Sequence, residues 1–119
     1  MSVLGIFFDT IARIAPITAD SNWGTNSTGS PVTSATRTMT VPSGNPGTIR
    51  FEINNETASG KYSKNGGTFT AITDAMTLAI ANGDTIALRA TGASADVFDV
   101  AVYDHTTATA IGTWVGTVA

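Results

Sequence analysis

Residues 60–92, GKYSKNGGTFTAITDAMTLAIANGDTIALRATG, constrain the fold more tightly than any other stretch of this chain. Asn65-Gly66 lies between Lys61-Tyr62-Ser63 and Thr68-Phe69-Thr70. Asn followed by Gly between strand-forming runs is the strongest short-range hairpin signal, because both central residues of a type I′ turn need positive φ. Asn82-Gly83-Asp84 precedes a clean alternation in which Ile86, Leu88 and Ala90 point one way and Thr85, Ala87 and Arg89 the other. The intervening Ala71–Ile80 fits two spacings: Ile72, Met76 and Ile80 suit a helix, Met76, Leu78 and Ile80 a strand. Thr73-Asp74 starts a turn and Asn82-Gly83 asks for a hairpin partner, so the reading is loop, then strand.

Similar patterns flank this region. Thr36–Val41 alternates and stops at Pro42, and Ser43–Gly47 is a dense turn cluster. In Thr48–Ile53 the inward positions are Ile49, Phe51 and Ile53. Val97–Tyr103 is an apolar strand, and Asp104-His105-Thr106-Thr107 turns it into Ala108–Trp114. Seven or eight short strands at regular spacing predict an all-β, antiparallel β-sandwich. No second helical pattern exists to cross over a parallel sheet. Gly112 and Gly116 fall inside the last strand, which marks a bulge or a close backbone approach and suggests an edge that pairs with a neighbour.

The N-terminal third reads differently. Val3-Leu4, Phe7-Phe8, Ile11 and Ile14-Ala15 make one helical stripe that Pro16 would end. The stripe lacks a basic leader region and is too short to span a bilayer. It packs on its own sandwich, as a short helix or first strand, or it is an arm inserted into a neighbouring subunit. Thr18–Ser34 has the composition of a polar linker, with Trp23 as its single large anchor, plugging either a sandwich edge or a subunit seam. The expected division is therefore residues 1–34 as arm and linker and residues 35–119 as sandwich.

Composition narrows the function classes. The chain has 119 residues, enough for one domain, and only 13% are charged while 42% are apolar. Thr is the commonest residue and suits strand faces that meet water or another subunit. Net charge −3 and scattered Arg and Lys leave no footprint for nucleic acid. One Arg in the N-terminal stripe gives little attraction to a membrane surface. The absence of Cys excludes disulfides and thiol chemistry.

No constellation for catalysis emerges. His105, the single His, sits in a turn as a solvated residue, and no nucleophile elbow accompanies it. Asp96, Asp99 and Asp104 are the carboxylates best suited to a hard cation, but no Asp-x-Asp-x-Asp-Gly run accompanies them. We therefore assign no catalytic, cofactor-binding or metal-binding residue, and the expectation is a non-enzymatic protein.

One resemblance adds to this reading. Tyr62-Ser63-x-Asn65-Gly66-Gly67, Phe69-Thr70, Asn82-Gly83-Asp84-Thr85, Arg89 and the closing Ile111–Thr117 are similar to the immunoglobulin-like β-sandwich repeats of tailed-phage virion proteins and bacterial surface proteins. The likeness covers about the last half of the chain. It implies an immunoglobulin-like fold and a virion or cell-exterior setting, and it brings no catalytic residues. The resulting expectation is a structural protein of a tailed bacteriophage virion, assembled in the host cytoplasm. It would decorate the head or join the tail, contacting other capsid or tail subunits in many copies through Phe7, Phe8, Ile11 and Trp23. The alternative is a carbohydrate- or receptor-binding module of a phage fibre or bacterial surface, favoured if Trp23, Tyr62, Tyr103 and Trp114 gather on one exposed face.

Overall fold

The computed structural model describes residues 13–119. Among them the chain is all-β, with no helix. The strands are β1 (Thr18–Ala19), β2 (Gly24–Asn26), β3 (Val32–Thr33), β4 (Arg37–Thr40), β5 (Thr48–Glu56), β6 (Ser59–Lys64), β7 (Thr70–Ala71), β8 (Thr77–Ala79), β9 (Thr85–Thr91), β10 (Val97–Asp104) and β11 (Ala110–Thr117). They form two sheets in a sandwich-like arrangement. One runs β1-β4-β9-β6-β7, with β3 also on β9, and the other runs β2-β11-β10-β5-β8. Every pairing is antiparallel except β2 with β11.

The alternation read from the sequence sets the core. Ile86, Leu88 and Ala90 of β9 are buried, as are Ile49 and Phe51 of β5, Met39 of β4, and Phe98, Val100 and Val102 of β10. Trp114 of β11 is fully buried between the sheets, tilted against Phe98 with ring centroids 6.5 Å apart. Phe51 and Tyr62, from opposite sheets, stack at 5.6 Å. Offset aromatic packing of this kind adds about 1 kcal/mol to what burial alone contributes.

Three expectations change. First, residues 18–34 are not a linker outside the sandwich. β1 pairs with β4, β2 with β11 and β3 with β9, while Ile17, Trp23 and Val32 are core residues. The expected boundary at Ser34 therefore falls inside the sandwich, and these short pieces raise the strand count above the predicted seven or eight. Their polar side chains serve the sheets directly. Asn22 Oδ1 accepts from Thr113 N at 2.7 Å, and the Asn22 backbone carbonyl accepts from the Arg37 side chain, Nε, at 2.8 Å. Ser34 Oγ accepts from Leu88 N at 2.8 Å, bridging the gap between β3 and β4 along β9.

Second, the two Asn-Gly turns differ. Asn65 and Gly66 both have positive φ, 55° and 71°, and Gly67 N donates to Lys64 O, as a type I′ turn requires. Its returning strand, β7, is shorter and later than expected, and β6 pairs chiefly with β9. At Asn82-Gly83 only Gly83 is positive, at 89°, and Asp84 N donates to Ala81 O, which is type II geometry. That turn carries the chain from β8 in one sheet to β9 in the other, so it makes no hairpin. The Ala81 amide, then the Asn65 side chain and Lys64, outweigh partial burial and hold the Asp84 carboxyl below its ordinary 3.8.

Third, β11 is not bare at its lower half, because β2 lies alongside Trp114–Gly116. The close approaches that the two glycines allow come from the same chain: Asn22 Oδ1 and the Trp23 indole at Gly112, the Trp114 indole at Gly116.

A Cβ at Gly116 would fall inside the envelope of the Trp114 ring, which has no room to retreat. Gly116→Ala is expected to lower the unfolding free energy by about 1–3 kcal/mol in urea denaturation followed by Trp fluorescence.

Candidate functional site

The region where the N-terminal segment joins the sandwich carries the most distinctive chemistry of the described residues. Asp104, at the end of β10, is fully buried and has no salt-bridge partner among the described residues. Its Oδ2 accepts from Ile17 N at 2.9 Å and from Asn45 Nδ2 at 2.8 Å. Oδ1 accepts from Thr106 N at 2.8 Å and Thr107 N at 3.1 Å. Asn45 Nδ2 also donates to Ala15 O at 2.9 Å, while its Oδ1 accepts from Gly47 N at 2.8 Å. One carboxylate thus joins the incoming segment, the 43–47 turn and the β10–β11 turn.

Burial pushes the Asp104 pKa upward. The hydrogen bonds from Ile17, Thr107, Asn45 and Thr106 outweigh it, so the pKa lies below the ordinary 3.8. A carboxylate that accepts several hydrogen bonds stays ionised without a salt bridge.

Just outside this knot, Ile14 is 43% exposed, the one large apolar side chain so exposed among the described residues. It belongs to the apolar stripe that begins at Val3. Arg13 and Ala15 are also exposed, while Ile17 is 1% exposed. The transition from surface to core therefore takes place over Pro16.

Of the predicted interface residues, Phe7, Phe8 and Ile11 lie outside the described residues. Trp23 is 2% exposed and donates from Nε1 to Ile86 O at 3.1 Å. Its indole fills the sandwich, leaving almost no surface for a partner. Trp114 is likewise buried, with Nε1 donating to Asn26 Oδ1 at 2.9 Å. Tyr62 stacks on Phe51, and Tyr103 lies under the Arg50 guanidinium at 5.3 Å. The four aromatics do not gather on one exposed face, so the arrangement that would favour a glycan platform is not formed by them.

The predicted carboxylates also separate. Asp96 lies before β10 and accepts from Ala93 N at 2.8 Å, Asp99 is 3.4 Å from Asn54 Nδ2, and Asp104 ends the strand. Eight residues of extended strand hold Asp96 and Asp104 on the order of 25 Å apart. Among the described residues no group of three or more His, Cys, Asp or Glu comes together to hold a metal ion. His105 is exposed in its turn, with Nδ1 3.2 Å from Arg50 Nη1. Arg50 also pairs with Glu52 at 2.7 Å, a surface contact worth little by itself.

Sequence reading missed Asp104 and Asn45 as partners. The local signal was present, since Asp before Thr-Thr after an apolar strand suits an Asx turn. The contact with Ile17, 87 residues away, had no local signal. No family model, curated protein or solved structure matches the chain.

Because its folded-state pKa is depressed, Asp104 contributes stability that is complete above 3.8 and lost as pH falls through the lower folded value. Asp84 loses stability in the same direction, so the test is a comparison. Between pH 5 and pH 2, urea midpoints should fall less steeply for Asp104→Asn than for the wild type.

Proposed function

We propose that this protein is a non-enzymatic structural module of a tailed-phage virion, attached to capsid or tail subunits through its N-terminal arm. The observation that carries the reading is Ile14. It continues the Val3–Ala15 stripe, yet its own sandwich leaves it exposed at 43%. An apolar stripe left open at its root suits a surface supplied by another subunit. Burying Phe7, Phe8 and Ile11 would contribute on the order of 5 kcal/mol before ordering costs, which favours attachment in many copies.

We read the sandwich as immunoglobulin-like, and the strand order supports that reading. β1-β4-β9-β6 follows the order A-B-E-D, and β5-β10-β11 follows C-F-G. The first strand is split, with β1 on the B-like strand and β2 parallel to the G-like strand. The chain departs from antibody domains in having no Cys and in carrying its two buried Trp just ahead of β2 and on β11 rather than on β5.

The geometry also gives the module a direction. The arm joins at the Asp104 end of β10, whereas Val118 and Ala119 bond to Asp96 and Gly29 at the opposite end. A subunit gripping the arm would leave the Ser27–Pro31 and Gly92–Asp96 loops facing away from it. Those loops hold small, mostly uncharged residues, consistent with an inert outer tip.

Light scattering with size exclusion tests the arm. The comparison should start the shortened chain at Arg13, since removing Ile17 would cut into the core. Self-association or matrix adsorption by the full chain, with a clean monomer on shortening, is the expected result. Monomeric, non-adsorbing behaviour of both would overturn the arm as an attachment device. Within the full chain, Phe7→Ser with Phe8→Ser should reproduce the shortened behaviour while leaving the urea midpoint unchanged.

A further inference from the structure

We propose that Asp104 is the positioning residue of the N-terminal arm: it pins the arm's root to two turns, so the sandwich stands at a fixed attitude to whatever the arm grips. This rests on the attachment reading for its purpose, although the pin itself is a property of the isolated chain.

The geometry makes the pin specific. Pro16 has no backbone N–H, so Ile17 N–H is the first main-chain donor available after it, and it points to Asp104 Oδ2. Asn45 Nδ2 holds the carbonyl of Ala15 on the other side of Pro16. The root is therefore held twice within three residues, by two side chains that also bond each other. Immediately beyond, Ile14 and Arg13 are exposed.

The placement of Asp104 also argues for a dedicated role. A buried carboxylate is costly unless its lone pairs are satisfied, and an apolar residue would end a core strand at lower cost. Thr106 and Thr107 amides satisfy Oδ1, which is enough to form the turn. Oδ2 is directed wholly at the arm root and Asn45. The second oxygen thus serves the arm, while the first serves the fold.

The test is hydrogen exchange by NMR on the full chain, comparing the Ile17 amide with that of Val102 in the middle of β10. In Asp104→Asn, one side-chain oxygen becomes an N–H₂ that cannot accept from the surrounding donors. Ile17 exchange should rise by roughly tenfold or more beyond any change at Val102. In Asn45→Asp, the acceptor for Gly47 is kept while the donor to Ala15 and Asp104 is lost. A second carboxylate then also faces Asp104, so trypsin should cut after Arg13 several times faster than in the wild type, by a factor larger than any rise in Val102 exchange. This second variant decides the matter if Asp104→Asn does not fold.

The pin is overturned if Ile17 remains protected in Asp104→Asn, or if Ile17 and Val102 accelerate together, which would make Asp104 a general stability residue. An unchanged tryptic rate in Asn45→Asp would also overturn it. These readouts need no partner. Failure of the Arg13 truncation experiment therefore removes the attachment reading and leaves the pin standing, and the converse holds equally.

Discussion

The fold depends on a layer of aromatic rings between two sheets that have few charges to spare for other contacts. Trp114, Phe51 and Phe98 on one sheet face Ile86, Leu88 and Ala90 on the other, and all six are buried. Large rings opposite smaller aliphatic groups let the layers interdigitate at interior density. Both indoles find hydrogen-bond acceptors, Ile86 O for Trp23 and Asn26 Oδ1 for Trp114. No buried side-chain nitrogen or oxygen among the described residues lacks a partner. With one ion pair among those residues, packing and hydrogen bonding, rather than charge pairing, hold the sandwich.

Trp23 links this layer to the N-terminal region. Its ring lies against Gly112 and its N–H reaches β9, so the segment from Thr18 to Asn26 crosses from one sheet to the other. At the near end of that segment the buried Asp104 carboxylate receives the chain. An apolar core and a wholly polar knot thus meet at Ile17, whose side chain belongs to the first and whose amide belongs to the second. The attachment reading follows from that junction: apolar residues after Pro16 turn inward, while Ile14 before it does not.

The core strands were legible because alternation is a local signal. Ile49 and Phe51, Met39, and Ile86-Leu88-Ala90 are inward as their period of two requires, and Ile53 packs partly buried beside them. Residues 18–34 were not legible. With only Trp23, Val32 and Ser34 buried beyond Ile17, no periodicity separates a polar strand from a linker. Their Ser and Asn side chains bond sheet edges, and composition cannot tell such bonding from solvation. The Asn82-Gly83 turn was misread for a related reason. A dipeptide permits positive φ at two positions, but whether one or both are used depends on where the next strand must go.

What the sequence determined by itself is the class of structure: an all-β chain with its core on alternating positions, turns at Asn65-Gly66 and Asn82-Gly83, and an apolar stripe ahead of Pro16. Each of these is encoded by side-chain period or backbone preference over a few neighbouring residues. Tertiary structure alone decided which sheet each strand joins, the burial of Trp23 within its own domain, and the meeting of Asp104 with Ile17. Those outcomes depend on partners distant in the chain, and a hydrogen bond across 87 residues leaves no trace in the spacing of either residue's neighbours.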